Sequence, residues 1–121
     1  MQMLHIDQEH KWSTCKEASS ILFGHAIQGI NIKKESGTVH CITLATEHVD
    51  GFVKSMGMGE TSNVCMAGTP TVVDDGTATV GCLIDLHPTL PRVMTKSERG
   101  WPVIERISPT LVNILMPVEC L

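Results

Sequence analysis

The chain has 121 residues and a mass of 13.2 kDa, the size of one hydrophobic core and too short for two independent ones, so residues 1–121 are expected to form a single globular domain. With 42% hydrophobic and 18% charged residues, it carries enough apolar surface to fold, which excludes a disordered segment. A formal charge of −4, scattered acids, no Tyr, and only Phe23, Phe52, Trp12 and Trp101 as aromatic residues argue against nucleic acid, because phosphates need a basic footprint and bases need stacking platforms.

All six prolines, Pro70, Pro88, Pro91, Pro102, Pro109 and Pro117, lie beyond residue 69, so long helices are expected only in the first half. Residues 2–6 read as a short strand, followed by the polar run from Asp7 to Lys11. From Thr14, an N-cap with Glu17 at the third helical position precedes Cys15, Ala18, Ile21, Leu22, His25 and Ala26 on one face. That spacing predicts a helix ending at Gly29. Ile30 and Ile32 then alternate with Asn31 and Lys33, and a second alternating stretch over 39–45 follows Ser36-Gly37, which predicts a β-hairpin. Residues 39–45 carry apolar side chains on both faces and are expected to be a central strand.

After Thr46, the residues Val49, Phe52, Val53 and Met56 recur at i, i+3, i+4 and i+7 and predict a second helix, ending near Gly57 or Gly59. Gly51 on its far face would allow close approach of another chain segment. The remainder reads as strands over 63–67, 71–73, 77–86, 92–95, 103–107 and 110–116, with Asp74-Asp75-Gly76 as a hairpin turn. The fold class expected is therefore α+β, with two helices packed on a mostly antiparallel sheet. Its first half runs strand-helix-strand-strand-helix-strand, an order shared with the ferredoxin-like split βαβ unit, and its second half is all β.

Asp85 and His87 stand two apart at the end of a strand, on one face, before Pro88 ends the pairing. A carboxylate beside an imidazole suits a general base, so the pair is the catalytic candidate of a small hydrolase or isomerase, with Glu47, His40 or His48 as helpers. The segment 57–62 superficially suggests a phosphate loop but has Glu60 where a lysine is needed. No CxxC or HxxxH pair announces a metal, and neither metal nor cofactor is expected. Cys15 in the first turn of a helix would favour thiolate, although its place on the apolar stripe reads more simply as core.

Seven methionines among few aromatics imply a soft interior, and Met56, Met58 and Met66, with His40, are the candidate ligand-binding residues. Five widely spaced cysteines and an N-terminus without a signal-type apolar stretch predict reduced thiols, a cytoplasmic location and no membrane association. The function expected is binding of a small apolar or amphipathic ligand by a homo-oligomer. The oligomer follows from many short strands with open edges and from the apolar run over 107–121. The alternatives are the Asp85/His87 enzyme and a protein-interaction or structural module without a pocket.

Overall fold

Among the residues that this computed structural model describes, 7–15, 21–56, 61–90 and 93–117, with 55 and 56 for the backbone alone, there is no helix. The described residues form ten strands: β1 Gln8–Ser13, β2 Ala26–Lys34, β3 Gly37–Leu44, β4 Gly51–Met56, β5 Thr61–Ala67, β6 Thr71–Val73, β7 Leu83–Leu86, β8 Met94–Ser97, β9 Trp101–Arg106 and β10 Leu111–Ile114. They form two five-stranded sheets, ordered β1-β5-β4-β2-β3 and β6-β10-β9-β7-β8, in which every neighbouring pair is antiparallel. The architecture is all-β, and the expected α+β class with its ferredoxin-like order is overturned.

Both predicted helices fail for identifiable reasons. The pattern Val49, Phe52, Val53, Met56 arises because β4 is buried on both faces: Val53 belongs to an apolar cluster within the first sheet, while Phe52 belongs to the cluster shared with the second sheet. Two adjacent buried residues on a doubly covered strand imitate a helical stripe. Residues 16–20 of the predicted first helix lie outside the described residues; on either side of them Thr14 bridges Ile42, the His25 N–H donates to the Leu22 carbonyl in a turn, and β2 begins at Ala26. The i, i+3 relation of Leu22 and His25 is thus a single turn. Gly51 does serve a close approach, within β4: a Cβ there would stand 2.5 Å from Val64 Cγ1 and 2.8 Å from the Cys65 carbonyl oxygen.

The hairpin forms as β2 and β3, paired from Ile27 opposite Leu44 to Lys34 opposite Gly37. β3 lies at a sheet edge, where a central strand was expected. Its apolar character has another source: Thr14 makes a parallel bridge with Ile42, the Cys15 N–H donates to the Ile42 carbonyl at 3.0 Å, and a disulfide joins Cys15 to Cys41. The two edges of the first sheet therefore meet, with Ile27, Ile42, Leu44, Val53 and Val64 on the enclosed side. Reduced thiols, on which the cytoplasmic expectation rested, do not hold for this pair. Cys65 is buried and Cys82 half-buried, both as free thiols.

The second sheet repeats the device, with a parallel bridge between Asp74, just after β6, and Met94 of β8, and the Asp75 N–H donating to the Met94 carbonyl at 2.9 Å. The predicted strand over 77–86 is only β7: ahead of it Ala78 is buried in the core with its carbonyl accepting from Arg106, and a turn from Thr79 to Cys82 leads into the strand. Arg106 donates to both Asp74 carboxylate oxygens (3.2 and 2.5 Å) and to the carbonyls of Ala78 and Ser108, while the Asp74 side chain is 0% exposed. One guanidinium fork thus ties three loop segments to the end of β9. β10 lies inside its sheet, between β6 and β9, with Val112 and Ile114 fully buried. That position accounts for the apolar run up to Ile114 without a second subunit.

Phe52 is 0% exposed and meets Trp101 edge-to-face at 5.6 Å between ring centroids, so Phe52→Ala is expected to cost about 3–5 kcal/mol in denaturant unfolding. Arg106→Met keeps the aliphatic stem but strands a buried carboxylate, with an expected loss of about 3 kcal/mol by the same measurement. A loss below about 1 kcal/mol would show that water reaches Asp74. Alkylation of the folded, unreduced protein is expected to leave Cys15 and Cys41 unlabelled. Opening their cross-link, which spans a sequence separation of 26, should lower stability by about 3 kcal/mol.

Candidate functional site

Side chains alternate across a strand, so Ile27, Gly29 and Asn31 of β2 share a face with their partners Leu44, Ile42 and His40 of β3. Near the seam these faces turn inward, where Trp12 from β1 and Met66 from β5 pack on the enclosed apolar cluster. Gly29 contributes no side chain at this point, and a pocket of about 210 Å³ opens, lined by Trp12, Ile27, Gly29, His40, Ile42, Asp50 and Met66. Its floor is the buried pair Ile27 and Ile42; its rim is half-buried Trp12, Met66 and Asp50 with exposed His40. A neighbouring groove of about 460 Å³ shares Asp50 and Met66 and continues past His10 to Trp101 of the second sheet and to Met116, which bridges Gly68.

The rim is held by specific bonds. Asp50 Oδ2 accepts the Gly29 N–H at 2.7 Å and faces His48 Nε2 at 3.1 Å. His40 Nδ1 lies 3.1 Å from Asn31 Oδ1, and its ring packs on Trp12 with centroids 4.6 Å apart, tilted by 56°. A Cβ built on residue 29 would stand 2.8 Å from His40 Cε1, 3.2 Å from its Nε2 and 3.6 Å from Asp50 Oδ2. Glycine is what lets the imidazole lie this close to β2. The Trp12 indole N–H is buried and has no hydrogen-bond partner among the described residues. Among the described residues of the lining, Asp50 is the only carboxylate, and neither Lys nor Arg joins it.

Of the residues singled out in the sequence, Met66 and His40 come together in this pocket. Met56 is in β4 by its backbone, and Met58 lies outside the described residues. Trp12, Gly29 and Asp50 were missed. The alternation of His10 and Trp12 in the polar run was the one available signal for β1, and nothing local marks Asp50 as facing Gly29, 21 residues away.

The Asp85/His87 pair is placed differently from the expectation. Asp85 Oδ1 accepts the N–H of its neighbour Leu86 at 2.8 Å, whereas His87 Nε2 faces Asp75 Oδ2 at 3.8 Å. His87 Nδ1 accepts the N–H groups of Leu90 (2.9 Å) and Thr89 (3.2 Å), so its lone pair is occupied and the Nε2 proton points at Asp75. This imidazole clamps a loop. The proposed helpers belong to other networks: the Glu47 N–H donates to Gln28 Oε1, and His48 faces Asp50. Cys15 is bonded to Cys41 and has no thiolate to offer. The Thr79 hydroxyl holds the Cys82 thiol below its ordinary value, while burial pushes Cys65 up. No group of three or more His, Cys, Asp or Glu among the described residues could hold a metal ion.

No family model, curated protein or solved structure matches the chain.

Burial alone would raise the Asp75 carboxyl, but hydrogen bonds from Thr77 and Thr95, with His87 nearby, outweigh it and hold the group below the usual carboxylate value of 3.8. A depressed folded pKa contributes stability that is present above the unfolded value and is lost as pH falls through the folded one. Wild type should therefore be more stable than Asp75→Asn near neutral pH. The difference is expected to close in the acid limb when unfolding is followed from about pH 6 to about pH 2; a difference that stays constant would assign the loss to geometry instead of charge.

Proposed function

We propose that this chain binds a small apolar or amphipathic ligand at the pocket beside the seam of the first sheet. The observation that supports this reading is the floor of Ile27 and Ile42 between the Trp12 and Met66 walls: an apolar concavity in which the polar side chains among the described lining residues are His40 and Asp50. Ligand sites usually pair apolar walls with a few placed polar groups in this way. At about 210 Å³ the pocket is smaller than the roughly 300 Å³ at which drug-sized sites begin, so it suits a short alkyl chain or one ring. The adjoining groove offers room for the rest of an amphipathic molecule. A hydrolase or isomerase reading has less support, because the His87 lone pair is committed to two backbone amides.

Titration with 1-hexanol, followed by proton–nitrogen correlation spectra, tests the reading. Saturable shifts are expected at the Trp12 indole and at the amides of Gly29 and Met66, with a dissociation constant on the order of millimolar. Ile42→Phe, which fills the floor, should abolish them while the circular dichroism spectrum stays that of the wild type. Shifts that do not saturate, or that spread evenly over both sheets, would remove the pocket from consideration.

A further inference from the structure

We propose that the polar end of the ligand is a protonated amine, so that the pocket is a site for a small amphipathic organic cation. This rests on the binding reading above and adds the chemical class to it.

Among the described residues that line the pocket and the adjoining groove, the only side chain ionised with the histidines neutral is Asp50. An anionic head would face this carboxylate with no cation to balance it, whereas an ammonium group would neutralise it. Asp50 retains the capacity to accept such a donor. A carboxylate offers about four lone-pair positions, and the bonds given to it by the described residues, from Gly29 and His48, both fall on Oδ2. The Gly29 amide fixes the orientation of the carboxylate at the rim.

The oxygen that remains for the ammonium is Asp50 Oδ1, which takes no bond from the described residues. His40 stands beside it at the rim, with its Cε1–Nε2 edge over Gly29 and its ring against Trp12. The walls agree with this chemistry. The Trp12 and His40 rings, tilted by 56°, offer aromatic surface to a cation, and the Met66 thioether is a polarizable neighbour. The alkyl or aryl body of the ligand would then rest on Ile27 and Ile42.

The test compares three probes that share one chain and differ in the head: n-hexylammonium, 1-hexanol and hexanoate, titrated near neutral pH at low salt with the spectra described above. Hexylammonium is expected to bind at least about tenfold more tightly than hexanol, and hexanoate more weakly than both. Asp50→Asn, whose side-chain oxygen can still accept the Gly29 N–H, should erase the ammonium advantage, so that this variant binds hexylammonium no more tightly than it binds hexanol. His48→Ala removes an exposed competitor for the carboxylate and should strengthen hexylammonium binding without affecting hexanol. Equal affinities for the three probes, or an ammonium advantage that survives Asp50→Asn, would overturn the cation assignment while leaving the binding site in place. Absence of saturable binding by all three would overturn both.

Discussion

Each sheet of this protein is joined to itself along its two edge strands, and that closure sets what the rest of the chain can do. Five strands laid side by side can alternate in direction, but an odd ring cannot alternate all the way round, so the pair that closes it must run parallel. Both closing bridges, Thr14 with Ile42 and Asp74 with Met94, are parallel, while every pair within the sheets is antiparallel. Register shifts at Gln8/Glu9, Val53/Ser55 and Asn113/Ile114 supply the bends that rolling a sheet requires. Each bridge gives a backbone partner to one stretch of an edge strand that would otherwise be open there.

The two closures are reinforced by different chemistry. In the first sheet a covalent bond between Cys15 and Cys41 backs a single backbone contact, and the pocket lies beside this seam. In the second, Arg106 and the buried Asp74 hold the loop that follows β6, with Asp75, Thr77, Thr95 and His87 forming a polar network next to it. The second network satisfies its members among themselves: the Asp75 carboxylate takes hydroxyl protons from both threonines, and His87 serves the backbone of its own loop. The first network differs, since Asp50 and His40 stand at the rim of a pocket with apolar walls, and the bonds that Asp50 takes from the described residues leave its Oδ1 open. That contrast is why the binding reading is assigned to the first sheet and a structural role to the second.

Packing between the sheets explains where local sequence patterns mislead. Phe52 and Trp101 meet edge-to-face across the interface, with Ala26 and Ala45 of the first sheet in the same apolar cluster as Val72, Ile84, Val103 and Val112 of the second. β2 and β4 therefore bury consecutive residues, Ala26 with Ile27 and Phe52 with Val53, one toward each core. Consecutive buried positions erase the period of two by which a half-exposed strand is recognised, and the pattern left behind has the spacing of a helix.

The sequence by itself determined the elements whose signal is local: the hairpin around Ser36-Gly37, the strands near 63–67 and 71–73, the proline-punctuated β character of the second half, and Met66 and His40 as residues to watch. Turn chemistry and one-sided alternation act over a few residues and are legible there. Only the tertiary structure decided that 51–56 is a strand, that Cys15 pairs with Cys41, that His87 faces Asp75 instead of Asp85, and that Asp50 stands over Gly29 beside Trp12. The last three join residues 12 or more apart, and the first depends on a second sheet covering the far face of β4; contacts at that range are fixed by how the sheets close and pack, which no window of neighbouring residues contains.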